Sequence, residues 1–108
     1  MVKYLEVPNI SLQDLDISKN NITDVGLKTL CGSLQVNVSL KYLNLSGNKI
    51  KDEGLNDLVE FLIENKTLQE LGLGANIINN EGLIILARFL PANTTLTHLE
   101  ISKNSFND

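Results

Sequence analysis

The sequence predicts an α/β solenoid of stacked strand–loop–helix–loop units, and three observations predict it. The first is a 28-residue period that runs without slippage through Leu12, Leu40, Leu68 and Leu96. The second is a skewed composition. Twenty leucines and 14 asparagines stand against five aromatics and two prolines, and nineteen of those leucines fall on repeat columns. The third is a change of hydrophobic period inside each unit, from two to the helical spacing.

The strand comes first in each unit. In Leu40-x-x-Leu43-x-Leu45 the last two leucines are two apart, which puts Tyr42, Asn44 and Ser46 on the opposite face. An asparagine column follows at Asn20, Asn48, Asn76 and Asn104, with Ile22, Ile50, Ile78 and Phe106 behind it. The helix is written in Gly54-Leu55-x-x-Leu58-x-x-x-Leu62, whose leucines share one helical stripe. Asp24, Asp52 and Asn80 stand where N-caps are expected, their side-chain oxygens accepting orphan N–H groups. Asn9, Asn37, Asn65 and Asn93 close the units, where a left-handed residue is expected to end the helix. Neither a strand with one apolar face nor a helix with one apolar stripe is stable alone, so stacking must bury both.

The 108 residues then make one domain. Residues 12–39, 40–67 and 68–95 are full repeats, 1–11 a partial N-terminal repeat and 96–108 a partial C-terminal one. Val2 and Leu5 align with helical columns, so the chain is expected to start inside a helix, and Asp108 aligns with the expected N-caps. Neither end reads as a polar cap. The expectation is a natural small protein whose ends are shielded by a partner, by a copy of itself or by its own termini. The alternative is a fragment of a longer sensor or scaffold whose output domain lies elsewhere.

Several function classes are disfavoured. A net charge of −4 argues against nucleic-acid binding, which needs clustered Lys and Arg. The longest apolar run, Leu83 to Ala87, is five residues, too short for a membrane span. Residues 1–10 show no secretory signal, so the expected location is cytoplasmic. Cys31 is the one cysteine and shares its column with Val59 and Ala87, a buried apolar position. His98 is the one histidine, and no nucleophile–base–orienter set accompanies it. Gly72-Leu73-Gly74 lacks the third glycine of a dinucleotide loop. Asp14, Asp16, Glu70 and Glu100 read as charges on a solvated sheet face rather than as metal ligands. Six Asn-x-Ser/Thr triplets read as repeat grammar rather than as glycan sites. The chain is expected to be no enzyme and to hold no cofactor and no metal.

The pattern L12xxL15xI17xxN20xI22xxxG26L27xxL30xxxL34 and its successors resembles the ribonuclease-inhibitor-like class of leucine-rich repeat. The resemblance spans nearly the whole chain. It implies a short horseshoe arc with a parallel β-sheet on the concave face, α-helices on the convex face and a structural role for the asparagine ladder. It also implies use of the concave face for binding protein, as an inhibitor or regulator of an enzyme. Compact repeat proteins of this kind also occur among bacterial effectors, which would place the chain in a host cytosol.

The candidate interface follows from the outward strand positions. They read Asp14, Tyr42, Glu70, His98 in one column, Asp16, Asn44, Gly72, Glu100 in the next and Ser18, Ser46, Gly74, Ser102 in the third. Tyr42 supplies area with a polar tip, and the carboxylates favour a protein partner that presents Lys or Arg. Gly72 and Gly74 are expected to leave a shallow depression. Ile77 joins the set as an apolar residue where its equivalents are Asn21, Lys49 and Ser105. On the helical side, Ile84 and Ile85 replace polar pairs and form a candidate self-association patch.

Overall fold

A computed structural model describes residues 12–35, 39–92 and 95–105. The expected chain start in a helix, the cap at Asp108, and the helix ends at Asn9, Asn37 and Asn93 lie outside the described residues, as does Phe106. Four three-residue strands alternate with three helices: β1 Asp14–Asp16, α1 Asp24–Leu34, β2 Tyr42–Asn44, α2 Asp52–Glu64, β3 Glu70–Gly72, α3 Asn80–Phe89 and β4 His98–Glu100. A short 3₁₀ turn, Leu90–Ala92, follows α3. All strand pairs are parallel in the order β1-β2-β3-β4, and their register matches the repeat: Asp14 beside Tyr42, Tyr42 beside Glu70, Glu70 beside His98.

The core lies between the sheet and the helices. Leu43, Leu45, Leu71 and Leu73 point into it from the strands, and Leu27, Leu30, Leu34, Leu55, Leu58, Leu62 and Leu86 from the helical stripes. Phe61 and Phe89 are buried in the same core. Cys31 is buried with them, and desolvation first, then the charge of Asp57, pushes its thiol up to about 12. Leu83 is only half-buried although Leu27 and Leu55 of the same column are fully buried, because no described helix stacks beyond α3.

Between repeats the backbone carries a second ladder. Ile17 donates to the Asn44 carbonyl at 3.0 Å, Leu45 to Gly72 at 2.8 Å and Leu73 to Glu100 at 2.7 Å, so pairing continues past each strand. The asparagine ladder closes what the loops leave open. Asn48 Oδ1 accepts the Asn20 and Ile22 N–H groups at 2.9 Å each, and its Nδ2 donates to the Leu45 carbonyl at 2.9 Å. Asn76 is 7% exposed and does the same with Ile50, Leu45 and Leu73. These amides are structural because buried backbone groups must find partners.

Two local expectations are corrected. Asp24 and Asp52 are not N-caps. The caps are Thr23 and Lys51, neither of which bonds the helix through its side chain. Each carboxylate instead reaches the next repeat, Asp24 Oδ1 accepting the Lys51 N–H at 2.8 Å and Asp52 Oδ1 the Asn79 N–H at 2.7 Å. Asn80 likewise starts its helix inside the first turn, behind Asn79. Asn65 is not left-handed: it is extended at φ −80°, ψ 131°, and its Oδ1 accepts the Thr67 and Leu68 N–H groups at 3.0 and 2.7 Å. One left-handed residue per repeat falls in the column after the strands, at Lys19, Gly47, Ala75 and Lys103, with φ of 57°, 71°, 54° and 59°, and Asn21 in the first loop is left-handed as well at 56°.

Candidate functional site

The strands are parallel and in register, so their outward residues form an ordered array. Asp14, Tyr42, Glu70 and His98 stand side by side across the sheet, as do Asp16, Asn44, Gly72 and Glu100. Each residue of the second array that has a side chain is tied two residues on. Asp16 Oδ1 accepts the Ser18 N–H at 3.0 Å and its hydroxyl at 2.7 Å. Asn44 Oδ1 accepts the Ser46 N–H at 3.0 Å, and Glu100 Oε2 accepts both the Ser102 N–H and its hydroxyl. The Ser18 N–H first, then its hydroxyl, holds the Asp16 carboxyl below the usual carboxylate range. The Asp16 and Glu100 carboxylates are therefore held in place by the serines that follow them.

A hollow of about 290 Å³ opens at the β3–β4 end of the sheet, lined by Tyr42, Glu70, Leu71, Gly72, His98, Leu99 and Glu100. Five of the expected residues thus meet in one place. Asn44 is at its margin, with Oδ1 2.8 Å from where a Cβ on Gly72 would be. Asp14 and Asp16 lie on β1, away from the hollow. Gly74 does not open it further: the Glu100 carboxylate folds over Gly74 and occupies the space a Cβ there would take. Of the two glycines expected to leave a depression, Gly72 alone lines the hollow, and it is itself buried beside Asn44 and Ser46.

Ile77 is not on the sheet. It is 37% exposed and lines a separate hollow on the loop edge with Val25, Lys49, Lys51 and Glu53. The outward Ile84–Ile85 pair is also split. Ile84 is 50% exposed, whereas Ile85 packs against the core and lines a groove with Val59, Ile63 and Phe89. No group of three His, Cys, Asp or Glu side chains suited to a metal gathers among the described residues, and no described helix is long and apolar enough to cross a membrane.

One contributor was missed in the sequence. The Thr97 hydroxyl donates to the Gln69 carbonyl at 3.1 Å and lies 3.1 Å from His98 Nδ1. The Gln69 carbonyl also accepts the Thr97 and His98 N–H groups at 2.8 and 3.0 Å, so Thr97 ties the start of β4 to the β3 edge and stands beside the imidazole ring. Thr97 shares its column with Gln13, Lys41 and Gln69, and nothing in that series marks it.

A family model described as leucine-rich repeat matches residues 9–31, 36–59 and 92–108, more than half of the chain. No curated protein sequence matches it. Among solved structures, actin-binding site 2 of leiomodin-1 superposes with a TM-score of 0.85 at 23% identity, covering 95% of this chain and 60% of that one. The tropomodulin C-terminal domain from Caenorhabditis elegans gives 0.80 at 16% identity, covering 93% and 60%. The chain thus spans about three-fifths of the length of both neighbours, and at these identities the likeness is one of fold.

Proposed function

The chain belongs to the leucine-rich repeat family, and from that premise we propose that it is a protein-interaction module that holds one protein partner against its concave sheet. One observation carries this reading: the two central outward arrays hold Asp14, Asp16, Glu70 and Glu100 and no Lys or Arg, on strands locked in register. A partner that presents basic groups complements that face, and such complementarity governs approach and choice of partner. The leiomodin-1 neighbour is by its name an actin-binding site, which supports a protein as the class of ligand. The chain acts as a regulator rather than as an enzyme, blocking an enzyme partner as the ribonuclease-inhibitor-like resemblance implies. Its setting is the cytoplasm, a host's if it is an effector, where a lone buried thiol stays reduced.

A second reading keeps the same face but makes the chain the recognition part of a larger scaffold. It is favoured by both neighbours being longer than the stretch this chain covers. The test of the first reading is a pulldown with the native chain beside a variant carrying Asp14→Lys, Asp16→Lys, Glu70→Lys and Glu100→Lys. A single stoichiometric protein retained by the native chain and lost by the variant is the expected result, and that protein's activity is then assayed with and without the chain. Equal retention by both chains removes the concave face from the reading.

A further inference from the structure

The geometry points to the β3–β4 hollow as a socket for one arginine side chain of the partner, a conclusion that rests on the concave-face reading above and names what that face grips. Gly72 lines the hollow where Asp16, Asn44 and Glu100 stand in the other repeats, and the Asn44 amide and Ser46 hydroxyl lie over it on the β2 side. The lining includes two carboxylates, Glu70 and Glu100, and no Lys or Arg. Glu70 and His98 are cross-strand neighbours, as are Tyr42 and Glu70, so ring, carboxylate and imidazole are consecutive along one line.

Each wall offers what a guanidinium takes and a compact ammonium uses less well. The planar fork donates through five N–H groups in fixed directions and pairs with carboxylates bidentately. Glu70 is exposed and free to accept in this way. Glu100 is held by Ser102, which fixes its carboxylate as a rigid second acceptor. The Tyr42 ring provides a face on which the cation can stack. The His98 ring, 3.1 Å through Nδ1 from the Thr97 hydroxyl, forms the far wall beside Glu70. Fixing these groups in advance lowers the ordering cost of binding.

The test needs no knowledge of the partner. The ¹⁵N-labelled chain is titrated by NMR with three capped tripeptides, Gly-Arg-Gly, Gly-Lys-Gly and Gly-citrulline-Gly, the last matching the shape of arginine without its charge. The expected order of affinity is arginine, lysine, citrulline, with shifts centred on Tyr42, Glu70 to Gly72 and His98 to Glu100. Glu70→Gln is expected to weaken arginine binding about tenfold, the loss that one charge-assisted pair produces. Tyr42→Phe should retain most of the affinity and Tyr42→Ala should lose it, with circular dichroism melts checking the fold of each variant. Equal binding of arginine and citrulline, shifts centred elsewhere, or no shifts at all overturn the socket. If the socket fails while the four-lysine variant still loses its protein partner, the concave-face reading stands and only the arginine assignment falls.

Discussion

Replacing Asn76 by alanine tests the ladder at one of its two buried rungs. Asn76 Nδ2 donates to the carbonyls of Leu45 and Leu73 at 3.0 Å and of Gly74 at 3.2 Å, while Oδ1 accepts the Ile50 N–H at 3.1 Å. The carbonyls keep other donors after the change. Leu45 retains Asn48 Nδ2 at 2.9 Å, Leu73 retains Asn104 Nδ2 at 3.0 Å and Gly74 retains the Gly47 N–H at 2.9 Å. The Ile50 N–H loses its acceptor in a residue that is 0% exposed, where water cannot replace it. An orphaned buried donor costs ~1–3 kcal/mol and the lost donor bonds add about 1 kcal/mol net, so the variant should lose about 3 kcal/mol. Asn76→Asp should cost more, because it keeps the acceptor for Ile50 but turns an oxygen toward three carbonyls. Asn20→Ala is the control: Asn20 is exposed and its Nδ2 reaches only the Ser18 carbonyl, so its loss should stay below ~1 kcal/mol. Urea denaturation followed at 222 nm measures all three. A loss below ~1 kcal/mol for Asn76→Ala, or an equal cost for Asn20→Ala, would falsify the claim that the rungs are graded by enclosure.

Three further outcomes follow from the packing and the charges. Gly82→Ala should destabilise by ~1–3 kcal/mol, since its Cβ would lie 2.5 Å from Asp52 Oδ1, 2.7 Å from Ile78 Cγ2 and 2.9 Å from Leu55 Cδ1. Gly32→Ala, inside α1 with nothing within 4 Å, should stabilise by ~0.5–1 kcal/mol, and thermal melts of the two should move in opposite directions. Cys31, buried with its thiol pushed up to about 12, should resist a thiol reagent at pH 8 until the chain is unfolded in denaturant. Asp16 has a folded value below its ordinary one, so its ionised form favours the fold above the ordinary carboxylate range. That contribution fades as the pH falls through the folded value. Ser18→Ala removes the hydroxyl and keeps the N–H, so it should move the Asp16 carboxyl part of the way back up in an NMR titration, and an unchanged midpoint would remove the hydroxyl as a cause.

The architecture was legible because the repeat constrains every unit in the same way. Leu43 and Leu45 two apart, then Leu55, Leu58 and Leu62 on one helical stripe, leave only one way to bury both sets, and the register of all four strands follows from the period. What was not legible are the jobs assigned across repeats. Asp24 stands where a cap would, but the nearest unmet donor is the Lys51 N–H of the next unit, and only the stacked geometry brings it within 2.8 Å. The left-handed column was hidden for a different reason. Lys19, Gly47, Ala75 and Lys103 include one glycine among four residues, so composition does not mark the position. There the loop hydrogen bonds, Lys19 N–H to Ser46 and Gly47 N–H to Gly74 at 2.9 Å each, hold the backbone against the side chain's preference.

The same division runs through the candidate site. The columns that place Tyr42, Glu70 and His98 in one line are a property of the period and can be read directly. The hollow depends on how Asn44 and Ser46 lie over Gly72 and on where Glu100 folds, and the second of these is set by Ser102 and Gly74 together. With Ser46 and Ser102 flanking it in its column, Gly74 is the one position of the three with room for the Glu100 carboxylate to lie flat. Adding a methyl at Gly74 should therefore lift Glu100 off the sheet and loosen the wall of the hollow without touching its other lining residues. A Gly74→Ala chain that binds the arginine tripeptide as tightly as the native one would mean that the carboxylate's position, and with it the preorganisation argued for the socket, contributes nothing.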